Sequence, residues 1–300
     1  MSVKVFKKFA VITVALVMCG LGLNSCAASG AIKSAPSIDA VAGLNNKLLW
    51  LRHNVESGGN YVIEVRTNET ITRGFSLYSG YMHYKNVNDI SITIKGVGTT
   101  PVIIRRDEVG SVFSVGSGIT LILEGNIIIQ GFQDPHLMDA KRTSSLLRVS
   151  SNGRFVMNDG VTITRNTNLS GSGGGVFVGN GGTFLMNGGT ITQNTCFPIP
   201  DAAVLAASGG KYTNIANPGT YKGGGVYVSS RGTFTKTGGT ITGHASDPEN
   251  GNSVKSFSGT NIIHNNGHAV YAGGKRKETT AGPDINLHFS NGTASGSWDH

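Results

Sequence analysis

Two stretches of this chain repeat almost residue for residue. Gly173-Gly-Gly-Val-Phe-Val178 is followed by Thr183-Phe-Leu-Met-Asn-Gly-Gly-Thr-Ile-Thr192, and Gly223-Gly-Gly-Val-Tyr-Val228 by Thr233-Phe-Thr-Lys-Thr-Gly-Gly-Thr-Ile-Thr242. Self-similarity at a long fixed period calls for a stacked architecture, because one such unit cannot bury its own apolar residues. Aligning earlier segments on these copies puts Val115, Val149, Val178 and Val228 in one column, with Phe113, Leu147, Val176 and Val226 two residues before them. Between them lie Ser114, Arg148, Phe177 and Tyr227. Successive strand residues point to opposite faces, so the apolar columns are predicted to face inward and the mixed column outward. A second strand gives inward columns Leu121/Phe155/Phe184/Phe234 and Leu123/Met157/Met186/Lys236, and a third gives Ile129/Ile163/Ile191/Ile241. Lys236 breaks the apolar rule and is expected to reach outward.

Three short strands divided by Gly and Asn turns make one coil. Phe155 and Phe184 are 29 residues apart; Phe184 and Phe234 are 50 apart, which places a 21-residue insertion after Thr195, within a loop at 195–222. Parallel pairing between coils, with right-handed crossovers, predicts an all-β chain: a single right-handed parallel β-helix over 60–290, with a tail at 291–300. Before it, Ser37 stands as an N-cap and Val41, Leu44, Leu48, Leu51 and Val55 recur at helical spacing. This predicts a helix over 38–57, stopped by Gly58-Gly59, that covers the open first coil.

Residues 1–25 read as a leader: Lys4, Lys7 and Lys8 precede an apolar run from Phe9 to Leu23. Leu23-Asn24-Ser25-Cys26 resembles a lipobox, which implies lipid attachment at Cys26 and a tether over 26–37. Without the leader's three lysines, 22 basic residues face 17 acidic ones, a net charge of +5. The longest basic run is Lys275-Arg276-Lys277, so nucleic acid is not an expected partner. Beyond Cys26 the mature chain has only Cys196, too few for an intrachain disulfide away from the anchor.

The pairing of Gly-Gly-Gly-Val-aromatic with Phe155-Val-Met-Asn158 and Phe184-Leu-Met-Asn187 resembles the repeats of the polymorphic outer-membrane protein family of bacterial surface adhesins. The closing Gly-Thr-Ile-Thr-x-Asn of Gly189–Asn194 is similar to units of β-helical surface lipoproteins, in a fold shared with pectin lyases. The likeness covers about 145–244 most clearly. The last unit departs from it: Phe234-Thr-Lys-Thr237 lacks the Asn, and His244 stands where the turn Asn is expected. The resemblance implies a surface-exposed binding or adhesion role, in the bacterial envelope or on the outer membrane, toward a host, matrix or glycan ligand.

Parallel β-helices also include polysaccharide lyases and glycosidases, which makes a carbohydrate-active enzyme the alternative. Glycoside hydrolysis needs two positioned carboxylates. Across 145–244 the acidic residues are Asp159 and Asp201, and the adjacent Asp107-Glu108 would point opposite ways on a strand. No catalytic residue, metal or cofactor is therefore assigned. Gly179-Asn-Gly-Gly182 lacks the Lys-Ser/Thr and helix start of a phosphate loop, so these glycines read as corners of positive φ. His264 and His268 flank a turn, without carboxylate partners for a metal, and Cys196 reads as a small buried side chain. The candidate binding strip is the outward column Arg148, Phe177 and Tyr227, with Arg154 and Arg165 nearby, suited to sugar rings or a partner's side chains. A second outward column, Ile122/Val156/Leu185/Thr235, is apolar and is expected to lie under the insertion, through Ile199, Val204 and Leu205.

Overall fold

Short β-branched runs punctuated by Gly and Asn favour brief strands over helices once the chain passes Gly58. A computed structural model describes residues 38–72, 74–78, 87–133, 143–196, 221–255, 261–278, 287–290 and 296–299. The chain enters through a 3-10 turn at Ile38–Ala40 and a helix, α1, at Leu44–Asn54. The helix is thus shorter than the expected 38–57. Gly43, at φ 75°, breaks the backbone just before it, and Val55 turns extended just after. Its apolar stripe works as anticipated: Leu44, Leu48, Leu51 and Val55 are buried in the common core, with Trp50 packed at the margin. α1 lies on the first coil.

That coil holds β1 (Asn60–Val65), β2 (Glu69–Ile71) and β3 (Phe75–Leu77). Two coils repeat it: β4 (Ile90–Gly96), β5 (Val102–Arg106) and β6 (Phe113–Val115), then β7 (Ile119–Gly125), β8 (Ile127–Gln130) and β9 (Leu147–Val149). Each later coil gains a two-residue strand at the corner before its last strand. The fourth is β10 (Arg154–Met157), β11 (Val161–Thr164), β12 (Thr167–Asn168) and β13 (Val176–Val178). The fifth is β14 (Thr183–Met186), β15 (Thr190–Thr192), β16 (Thr195–Cys196) and β17 (Val226–Val228). The sixth is β18 (Thr233–Lys236), β19 (Thr240–Ile241), β20 (Ser253–Val254) and β21 (Val270–Ala272).

Corresponding strands pair in parallel into stacked sheets: β1-β4-β7-β10-β14-β18, β2-β5-β8-β11-β15-β19, and β3-β6-β9-β13-β17-β21, with β12-β16-β20 at the corner. The register matches the columns read from sequence. Leu121, Phe155, Phe184 and Phe234 are successive partners, as are Ile129, Ile163, Ile191 and Ile241. All eight are fully buried, and each such side chain contributes about 1.5–3 kcal/mol by leaving water. The phenyl rings of Phe155, Phe184 and Phe234 stack with centroids 4.8 Å apart at each step, the spacing of neighbouring strands.

The corner between second and third sheets is held by buried asparagines. Asn194 donates to the carbonyls of Ile163 and Thr192, and Asn252 to those of Ile191 and Thr242. Asn166 donates to those of Ser144 and Gly174. Buried corner carbonyls need such partners because no strand supplies them. In the sixth coil this role falls to Asn252, not to the position of His244. The chain makes a detour from Gly243, which bridges to Asn252, so the corner Asn is displaced rather than lost.

Two further expectations are corrected. Parallel stacking does not run to 290: β22 (Lys275–Glu278) and β23 (Leu287–Ser290) form an antiparallel hairpin on β18, and β24 (Gly296–Trp298) pairs antiparallel with β21. These strands cover edges that would otherwise stay open to a second chain. Lys236, expected to reach out, is 1 % exposed at its inward position. The hairpin strand sets Leu287 opposite it in the register, so this edge of the sheet is paired at that level.

Candidate functional site

The third sheet presents its mixed column outward. Ser76, Ser114, Arg148, Phe177, Tyr227 and Tyr271 are successive register partners. The Arg148 guanidinium carbon sits 4.3 Å from the Phe177 ring centre. Phe177 and Tyr227 stack at 5.3 Å with planes 20° apart, and Tyr227 and Tyr271 at 6.1 Å with planes 3° apart. Both separations fall within the range of attractive ring pairs. At the far end, Lys222 Nζ lies 4.1 Å from the Tyr271 ring centre and donates to its hydroxyl at 2.7 Å. The result is a ladder of three rings with Arg148 against the first and Lys222 at the hydroxyl of the last.

Tyr271 and Lys222 were not singled out in the sequence. Gly267-His-Ala-Val-Tyr-Ala272 is a degenerate third copy of Gly-Gly-Gly-Val-aromatic-Val, with His268 and Ala269 in place of two glycines. The backbone treats it as a full copy: Gly223, Gly224 and Gly225 donate their amides to Asn266, Gly267 and His268. Gly173, Gly223 and Gly267 all take positive φ, as the corner requires. Gly174 does not; there a β-carbon would collide with the Gly224 carbonyl oxygen, so close approach of neighbouring coils is what demands glycine.

Phe177 and Tyr227, the first two rings of the ladder, form the floor of an open groove of about 500 Å³. One wall comes from residues just past β9, β13 and β17, including Ser151, Asn180 and Ser229; the other comes from Ser172 and Tyr221, ahead of β13 and β17. Ser229 donates to Asn180 Oδ1 at 3.1 Å, and Ser172 Oγ accepts the Lys222 amide at 3.1 Å, which ties each wall to its neighbouring coil. No Asp or Glu is among the described residues lining it. The flat faces of Phe177 and Tyr227 are occupied by Arg148 and by the neighbouring rings. A ligand would therefore meet ring edges, tyrosine hydroxyls and serines.

Partial burial sets the electrostatics. It lowers the pKa of the Arg148 guanidinium and raises those of the Tyr221 and Tyr227 phenols, with Lys222 pulling Tyr227 partly back. The salt bridges among the described residues are Arg66–Glu64, Lys95–Glu124 and Arg106–Glu108, so neither Arg148 nor Lys222 has a carboxylate partner there. Arg148 holds only a long hydrogen bond to Ser144 Oγ, 3.4 Å. Arg154 and Arg165 do not join the ladder: Arg154 opens β10 on the first sheet, and Arg165 turns the corner after β11, donating to Gln193.

The remaining candidates fall elsewhere. Cys196 is fully buried with its pKa pushed up to about 12 by that burial, which leaves it a thiol. Asp107 and Glu108 sit in the bend after β5, not on a strand as assumed, and Glu108 reaches back toward Arg106 at 4.0 Å. His244 and His264 lie beside His268, with ring centres 5.6 and 5.9 Å away, yet among the described residues no group of three His, Cys, Asp or Glu is placed to hold a metal. Ile122, Val156 and Leu185 do form an outward column on the first sheet, with Val156 nearly buried. The segment expected to cover it, with Ile199, Val204 and Leu205, lies outside the described residues, as does Cys26. No family model matches this chain, and neither a curated protein nor a solved structure matches it.

Proposed function

We propose that this chain is a lipid-anchored protein of the bacterial outer membrane or cell surface that binds a partner along the third-sheet groove and catalyses no reaction. In this reading the stacked sheets close on themselves as one right-handed parallel β-helix, the hand that parallel crossovers take in nearly all cases. The observation that carries the binding role is the stacked pair Phe177 and Tyr227 on the floor of that groove, flanked in the same column by Arg148 and Tyr271. Nothing in the stacking of coils requires aromatic rings there, since Ser76 and Ser114 fill the same column in earlier coils. The leader and Cys26 support the anchor, and the likeness of the repeats to surface adhesins supports placement outside the cell.

Intact cells displaying the wild-type protein are compared with cells displaying Phe177→Ala/Tyr227→Ala, on arrays of glycans and matrix proteins. The wild type should bind and the double variant should not, with both folding alike. Equal binding by the two removes the groove from the account. For the anchor, Cys26→Ser should move the protein from the membrane fraction to the soluble one, and unchanged partitioning refutes lipid attachment.

A further inference from the structure

We infer that the groove takes an anionic oligosaccharide, with an acid group seated at Arg148 and a second toward Lys222. The inference rests on the binding role proposed above and adds the chemical class of the ligand. The first support is charge. Two cations, Arg148 against the Phe177 ring and Lys222 next to Tyr221, flank the groove without carboxylate partners among the described residues, and no acidic residue is among the described residues that line it. Arg148 is half-buried against Phe177, and that burial works against its charge. An incoming carboxylate or sulfate restores what the guanidinium lost on leaving water, and a planar fork meets such a group through paired N–H donors.

The second support is the chemistry of the walls. Ser150, Ser151, Ser172 and Ser229 offer hydroxyls, Asn180 an amide and Tyr221 a phenol. These groups both donate and accept, which suits a ligand covered in hydroxyls. A peptide strand is served less well, because β9, β13 and β17 are paired on both sides and present no free backbone edge. The third support is spacing. Arg148 stands on β9, while Lys222, just ahead of β17, reaches the hydroxyl of Tyr271 on β21; those two strands are three intervals, or roughly 14 Å, apart. Two cations on separate coils, both beside one groove, fit a chain with repeated acid groups better than a single small anion.

The test uses the detergent-solubilised full-length protein and three probes: a glucuronate-containing hexasaccharide, the same hexasaccharide with its carboxylates reduced to alcohols, and an oligoglutamate of equal charge. Titration calorimetry should show the acidic sugar binding at least about tenfold more tightly than the reduced one, as expected for a charge-assisted contact. Raising salt should weaken the acidic sugar alone. Arg148→Gln should cost about tenfold against the acidic sugar while leaving the weaker, reduced one unchanged, and Lys222→Gln should act in the same direction. Arg148→Lys controls for charge without the planar fork and should recover part of the loss.

If both sugars bind equally and Phe177→Ala/Tyr227→Ala abolishes that binding, the groove is a binding site and the anionic assignment is wrong. If oligoglutamate binds as tightly as the acidic sugar, charge alone is read and the glycan assignment falls. If none of the three binds while the array finds some other partner sensitive to the double variant, the ligand class is overturned and the groove stands. Insensitivity of every bound partner to the double variant overturns both proposals together.

Discussion

The molecule carries two aromatic ladders built on the same coil repeat, one inside and one outside. Phe155, Phe184 and Phe234 stack within the core at 4.8 Å per step and are 0 % exposed. Phe177, Tyr227 and Tyr271 stack on the third sheet at 5.3 and 6.1 Å; the first two are only partly covered, and Tyr271 is 9 % exposed. The inner ladder is continued above by Leu121, an apolar side chain. The outer one ends on Arg148 and Lys222. Stacked coils align whatever the sequence repeats, so periodicity alone makes ladders on both faces. What sets the two apart is the surroundings: one replaces water with packed carbon, while the other leaves edges, hydroxyls and cations available.

The largest consequence is in stability. Phe184→Ala removes the middle ring of the inner ladder, where Phe155 and Phe234 hold fixed positions and collapse is limited. It should cost about 3–5 kcal/mol, seen as a large drop in the denaturation midpoint. Phe177→Ala, at the start of the outer ladder, gives up stacking and partial burial alone and should cost well under half as much. Similar losses for the two would mean that the outer ladder is also a core element, and the distinction between them would fail.

Acid should separate the ladders next, through the outer one's last strand. Tyr271 lies three residues beyond His268, whose side chain is fully buried. Its Nδ1 accepts the Val254 amide at 2.9 Å, and Nε2 has no partner. Burial lowers its pKa from 6.5 to about 4, helped by His244 and His264 and opposed by Asp299. The unfolded chain therefore takes up the proton first. Stability is intact above about pH 6.5 and is lost progressively as pH falls toward 4. Asp299 ties this region together by accepting from the amides of His268 and Asn265. Hydrogen exchange at pH 4.5 should show Val270–Ala272 losing protection while Arg154–Met157 keeps it, with the contrast gone at pH 7.5. His268→Gln should flatten the pH dependence; a uniform loss across both strands would count against this.

The inner ladder was legible in the sequence because two periods agree there: alternation within a strand and recurrence between coils. The outer column was legible as far as Tyr227 for the same reason. Its extension to Tyr271 was hidden by substitutions that keep the backbone path, His268 and Ala269 for glycine, and by the detour that sets Asn252 ten residues beyond Thr242 where Asn194 follows Thr192 by two. Spacing is a poor guide across such loops, since extra residues at a corner cost little while the corner hydrogen bonds persist. The burial of Lys236 and the antiparallel finish depend on which edge the hairpin covers. Lys275-Arg276-Lys277 has no alternation that reveals it. That the outer rings stack on one another, not on a guest, is a matter of side-chain rotamers, which the pattern of residue types does not specify.

The smallest effect gives the sharpest contrast, because it isolates ring chemistry from volume. Replacing phenyl by leucine roughly keeps the apolar bulk but removes the π-face. At Phe184 the neighbours are hydrocarbon rings, so Phe184→Leu should behave as a near-conservative core change, costing under about 1.5 kcal/mol. At Phe177 the neighbour on one side is a guanidinium 4.3 Å from the ring centre. A double-mutant cycle of Arg148→Ala with Phe177→Leu should therefore return a coupling of about 0.5–1 kcal/mol, the size of a cation–π contact near the surface. The corresponding cycle of Leu121→Ala with Phe155→Leu should show packing coupling that is indifferent to salt. A coupling at Arg148 near zero would reduce the cation to a bystander of the outer ladder, and would leave the two ladders differing in burial only.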